Sequence, residues 1–159
     1  MKLSKSAKKV QRFLEEHGYE LVVKELPDST RTAQNAADAI GCEVGQIGKS
    51  LIFKQEDEER AVLIVASGQH QVDIEKVEAQ LGFKLEKADA KFVKAQSGFA
   101  IGGVPPIAHA NSPITVLDKS LQNFDTIWAA AGTPSAVFEL TSELLATMTS
   151  GTWLDVAKH

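Results

Sequence analysis

A single α+β domain spanning residues 1–159, with one mixed, curved β-sheet flanked by helices, is the architecture this sequence predicts. Three observations predict it. Segments with helical spacing and segments rich in β-branched residues occur in one chain. They neither alternate regularly, as a doubly wound parallel sheet requires, nor separate into two blocks. The two strongest β runs, "GKSLIFKQ" and "RAVLIVASG", flank the acidic turn "EDEE" and so read as an antiparallel hairpin entering the core.

The elements follow in order. Ser4 to His17 has amphipathic helical spacing and stops at Gly18. "YELVVKEL" reads as a short strand closed by Pro27. "DSTRTAQNAADAIG" opens with a cluster of capping residues, places Ala33, Ala36, Ala37 and Ile40 on one helix face, and ends at Gly41. After the hairpin, "VDIEKVEAQLG" carries Ile74, Val77 and Leu81 at helical spacing, and "KADAKFVKAQSG" repeats the pattern with Ala88, Phe92 and Ala95. "ITVLD", "FDTIWAAAG" and "SAVFEL" are three further strands; "TSELLATM" begins with a candidate capping box, Thr141 or Ser142 ahead of Glu143, and "TWLDV" is a last strand.

Composition narrows the function. A hydrophobic fraction of 43% with 24% charged residues is that of a water-soluble protein, and no apolar run approaches the ~20 residues of a membrane span. "MKLSKSAKKVQRFLEEHG" lacks the apolar core and small-residue cleavage site of a secretory signal, so a cytoplasmic location is expected. The net charge of −4 argues against charge-driven wrapping of nucleic acid and against DNA as a partner. The evident basic cluster, Lys2, Lys5, Lys8, Lys9 and Arg12, falls largely opposite Val10, Phe13 and Leu14, where a solvated helix face is the ordinary reading. Cys42 is the single cysteine and is expected to be structural; neither it nor the scattered His17, His70, His109 and His159 suggests a metal site.

Side-chain nucleophilic chemistry finds little support. Ser67 lies near His70 in "VASGQH", but Gly-x-Ser-x-Gly is absent and no acid partner is evident by spacing. Glu15 with Glu16, and the acidic run 56–59, fall where solvated faces and turns fall. The unusual stretch is "GFAIGGVPPIAHANSP". Its glycines allow close approach of the main chain to a ligand, and its paired prolines stiffen the exit and remove two donors. Two readings stay open: a backbone oxyanion site, or a buried chain crossing at which only glycine fits.

Four signposts in order, "GQIGKSLIF", "VDIEKV", "SGFAIGGVPPIAH" with Gly-x-x-x-Pro at Gly102 to Pro106, and "AAAGTPSAVFEL", make the chain resemble the YbaK-like family. These are bacterial aminoacyl-tRNA deacylases related to the editing domain inserted in prolyl-tRNA synthetases. The resemblance covers nearly the whole chain and implies hydrolysis, in trans, of the ester joining a wrong small amino acid to the 3′ end of tRNA. It implies that Lys49 grips the terminal phosphate, that Gly102, Gly103 and Val104 supply amides to the aminoacyl carbonyl, and that Pro105 and Pro106 fix the loop. His109 is expected to line the pocket or to cap a strand, and Ser67 and Gly68 to form another wall. No side-chain base is evident, which agrees with assistance by a ribose hydroxyl and needs no cofactor. Expected partners are the acceptor end of aminoacyl-tRNA and, transiently, a synthetase. The alternative is a non-catalytic module of the same fold that binds that acceptor end; Lys49 and the intact loop favour the enzyme.

Overall fold

The computed structural model describes residues 3–27 and 32–158. Lys2, His159 and most of the expected capping cluster before the second helix, residues 28–31, lie outside the described residues. Helix α1 (Lys5–Glu16) is capped by Ser4, whose Oγ accepts the Ala7 N–H, and it buries Ala7, Val10 and Leu14 along one stripe. Strand β1 (Val23–Glu25) follows, then α2 (Ala33–Ile40), capped by Thr32 and ended by Gly41 in the left-handed region at φ 88°. The hairpin is β2 (Ile47–Gln55) and β3 (Ala61–Ser67). All seven residues of β3 are buried, as a strand covered on both faces requires.

Helix α3 (Ile74–Leu81), strand β4 (Leu85–Lys87) and helix α4 (Ala90–Ser97) lead to the glycine–proline loop, with Asp73 and Asp89 as side-chain caps of the two helices. Strands β5 (Ile114–Asp118), β6 (Ile127–Ala130) and β7 (Ala136–Leu140), helix α5 (Ser142–Thr149) and strand β8 (Thr152–Leu154) complete the chain.

The strands form one sheet in the order β1-β7-β6-β2-β3-β5-β8, with β4 also paired to β2. Pairs β2–β6, β3–β5 and β5–β8 are parallel and the others antiparallel, so the expected mixed sheet is found. Residues 63 and 65 of β3 face a core built with α1, α4, α5 and the loop, while 62, 64 and 66 face α3. Helix α2 packs Ala36 and Ala37 against Ile47, Trp128 and Val137.

Three local expectations change. Strand β4 was not foreseen. The buried face of α4 is Val93 with Ser97, not Ala88, Phe92 and Ala95, because the Ser97 hydroxyl satisfies itself by donating to the Val93 carbonyl and accepting the Phe99 N–H. Thr141 caps α5 through the Leu144 N–H, which leaves Glu143 one position short of a reciprocal box, in the first turn where its charge suits the helix dipole.

Candidate functional site

The site originates in an imperfection of the sheet. On one edge β2 pairs with β3 from Gly48 to Lys54. On its other edge β6 covers only Ile47 and Gly48, and β4 covers only Phe53 to Gln55. No strand among the described residues pairs with Lys49–Ile52 there. The gap opens into a cavity of about 790 Å³, within the range that holds small molecules or the end of a larger one. Its walls are β2 from Ile47 to Phe53, the α2 face, the ends of β6 and β7, and the loop at Ile101, Gly102 and Val104.

Lys49 is the only charged side chain among the described residues lining this cavity, and no described residue pairs with its ammonium. A strand position holds its stem beside an apolar wall while leaving the head for an anion. Ser50, its neighbour, pairs with Val65 and so lies on the opposite face of the sheet, the face shared with Val93 and Val104. The Ser50 Oγ is buried and has no hydrogen-bond partner among the described residues. Sequence reasoning missed Ser50, because a serine within a strand carries no signal until its burial at a cavity is seen.

The loop divides its glycines between two tasks. Gly102 lines the cavity at φ 97°, a left-handed conformation that side chains resist. Its N–H and that of Val104 meet no acceptor among the described residues. Gly103 gives its N–H to the Ala100 carbonyl at 3.2 Å, and its own carbonyl accepts the Gly132 N–H at 2.9 Å. A Cβ on Gly103 would lie 2.5–2.7 Å from three backbone atoms of Thr133. Gly103 therefore marks a chain crossing and, with its N–H given to Ala100, does not offer the amide expected of it, while the amides of Gly102 and Val104 at the cavity have no acceptor among the described residues.

Pro105 and Pro106 are buried behind that wall, where residues without N–H groups leave no donor unsatisfied. The Pro105 carbonyl accepts a hydrogen bond from His109 Nε2 at 2.6 Å. Because a carbonyl only accepts, the proton sits on Nε2, and Nδ1 is buried without a partner among the described residues. Burial pushes the His109 pKa down and the nearby Lys9 charge adds to this, against the opposing effect of the Pro105 bond.

The structure does not bring every expected residue to the cavity. Pro106 and His109 line a separate cavity of about 150 Å³ together with Phe13 and Met148. Ser67 is fully buried; its hydroxyl donates to the Gly45 carbonyl and its N–H to Asp118 Oδ2, so it is no wall and no nucleophile. His70 Nδ1 lies 3.1 Å from Ser120 Oγ and 3.5 Å from Asp118 Oδ2, with Ser120 in turn donating to Asp118, an arrangement that ties β3 to the end of β5. Gly68 does line the large cavity, and a Cβ there would lie 2.6 Å from the Val44 carbonyl oxygen. Burial pushes the Cys42 thiol pKa up. Among the described residues no group of histidine, cysteine and acidic side chains could hold a metal ion, and no helix is long and apolar enough to cross a membrane.

Fold and site together define an α+β domain whose sheet opens around a largely apolar cavity with Lys49 as the one charged side chain among the described residues on its wall. Residues 27–148 match the family described as the aminoacyl-tRNA editing domain. YwhH of Bacillus subtilis is 36% identical over 154 residues, covering 96% of this chain and 98% of its own. A solved structure, described as that of a candidate trans-editing enzyme for prolyl tRNA synthetase, superposes with a TM-score of 0.94 at 43% identity, covering 99% of this chain and 100% of that one. EbsC of Enterococcus faecalis, a candidate Cys-tRNA(Pro)/Cys-tRNA(Cys) deacylase, is 27% identical over 126 residues, covering 79% of this chain and 76% of its own. The chain belongs to the aminoacyl-tRNA editing domain family.

Proposed function

We propose that the chain is a trans-acting hydrolase of aminoacyl-tRNA that removes small, wrongly attached amino acids. The observation that carries this reading is the meeting, in one cavity, of Lys49 with the amides of Gly102 and Val104, none of which has a partner among the described residues. Lys49 holds the phosphate of the terminal nucleotide as a charge-assisted contact. That fixes the ester against the loop. The two amides then meet the carbonyl oxygen, where negative charge grows as water adds to the carbon. A ribose hydroxyl next to the ester orients the water; the carbon–oxygen bond to the ribose breaks, and the departing ribose oxygen takes up the proton. The protein supplies position and preorganised dipoles rather than a side-chain base.

The remaining assignments are supporting ones. His109 holds the Pro105 carbonyl and so sets the plane of the Pro105–Pro106 peptide at the exit of the loop. Gly103, locked on Thr133, anchors the loop from behind. Ser50 is the polar atom on the loop side of the cavity and meets the aminoacyl group. Aminoacyl-tRNA as substrate makes the cytoplasm the place of action, with the acceptor end as the part bound and a passing synthetase as a source of substrate. The test is deacylation of separately mischarged tRNAs by the purified protein. Alanyl or seryl esters are hydrolysed and phenylalanyl esters are spared; hydrolysis of none of them would leave only a binding module.

A further inference from the structure

We propose that the exposed stripe Lys5, Lys8, Lys9 and Arg12 on α1 is a docking surface for the phosphate backbone of the RNA stem that leads into the cavity, an assignment that rests on the deacylase reading of that cavity. Positions i, i+3, i+4 and i+7 form one stripe, about 10 Å long at 1.5 Å per residue, opposite the buried Ala7, Val10 and Leu14. All four are exposed, and none is ion-paired among the described residues.

The charge order of α1 does not serve the helix itself. Its first turn holds no acid and begins with Lys5, its last turn holds no base, and Glu15 and Glu16 close it. Cations therefore stand at the positive end of the helix dipole and anions at the negative end, the reverse of what stabilises a helix. In a protein of net charge −4, a stripe of cations that works against its own helix is explained by something it binds.

Its position names the ligand. Lys9 Nζ sits 4.6 Å from the centre of the Phe99 ring, and a Cβ on Gly98 would lie 2.8 Å from the same nitrogen. Phe99 leads directly to Ile101, 56% exposed at the cavity lip, and to Gly102. The Ser6 carbonyl lies against Gly132, whose N–H holds the Gly103 carbonyl. The stripe thus borders the loop that, in the deacylase reading, meets the aminoacyl carbonyl. Flexible lysine and arginine heads contact phosphates without reading sequence, which suits a protein that meets a stem from one side.

The test compares the parent with K5Q/K8Q/R12Q; Lys9 is retained because it packs on Phe99. Steady-state kcat/KM is measured on alanyl-tRNA and on an alanyl-CCA trinucleotide, each across a range of salt. The variant loses about tenfold or more on alanyl-tRNA at ~0.1 M salt, and the slope of log kcat/KM against log salt becomes shallower by about two. Hydrolysis of the trinucleotide is unchanged, and thermal stability holds or rises. Unchanged kcat/KM and slope on alanyl-tRNA would overturn the surface, as would equal losses on both substrates. If the parent hydrolyses neither ester, the deacylase reading fails. Fluorescence anisotropy with uncharged tRNA then decides the surface: weaker binding by the variant sustains it, and equal binding or none removes it.

Discussion

Replacing Gly103 and Gly102 separately by alanine distinguishes the two tasks of the loop. At Gly103 the added Cβ would lie 2.5 Å from Thr133 Cα and 2.7 Å from its carbonyl carbon and nitrogen. These are main-chain atoms of a segment itself pinned by the Gly132–Gly103 hydrogen bond, so no side chain can swing aside. Overpacking of this kind costs about 1–3 kcal/mol, and the upper half applies where the obstacle is backbone. At roughly 2–4 °C per kcal/mol for a domain of this size, Gly103→Ala lowers the melting temperature by about 4–12 °C. At Gly102 the nearest atom to a new Cβ is Pro134 Cγ at 3.7 Å, an ordinary contact, so the penalty comes from the left-handed φ and is of order 1–3 kcal/mol. Relaxing that strain turns the amide away from the cavity, and loss of one oxyanion donor reduces turnover by ~10²-fold. Thermal unfolding followed by circular dichroism, with deacylation measured well below both transitions, reads the two effects apart. A Gly103→Ala protein melting at the parent temperature would refute the crossing, and full turnover in Gly102→Ala would refute the use of its amide.

Two further outcomes follow from single side chains. Ser50→Ala removes a buried hydroxyl that has no partner among the described residues, so stability is unchanged or slightly higher, whereas KM for the aminoacyl ester rises severalfold; a lower melting temperature with unaltered KM would make Ser50 structural. His109 has a folded pKa below its unfolded value of about 6.5, so the unfolded chain gains a proton first as pH falls. Its contribution is complete above that value and is lost as pH drops through it toward the folded pKa. Urea midpoints between pH 8 and 5.5 therefore fall less in His109→Gln than in the parent, and parallel declines would remove His109 as the cause.

The parts of this molecule that were legible in its sequence are those fixed by neighbours along the chain. The hairpin of β2 and β3, helix α1 up to Gly18 and the helix-ending Gly41 each follow from local periodicity and backbone chemistry. Strand β4 was illegible because three residues carry no period; it forms where β2 offers it an edge. The cavity was equally hidden, since it is the distance between β6 and β4 along β2 that creates it. Two adjacent glycines flagged the loop, but only Thr133, thirty residues downstream, decides which of them is the crossing. Proximity of His109 to the prolines in sequence does not reveal which cavity its side chain enters, and it lines the smaller one, apart from Lys49.

The central claim is that the cavity hydrolyses aminoacyl esters held by Lys49. It is tested most directly by comparing turnover of mischarged alanyl- and seryl-tRNA by the parent and by Lys49→Ala, with circular dichroism to verify the fold. Lys49 sits at a cavity wall with no structural partner among the described residues, so the variant retains the parent's spectrum and melting temperature while kcat/KM falls by ~10²-fold or more, the scale of losing a charged contact that positions the reacting group. A folded Lys49→Ala protein that deacylates both tRNAs at the parent's rate would contradict the account.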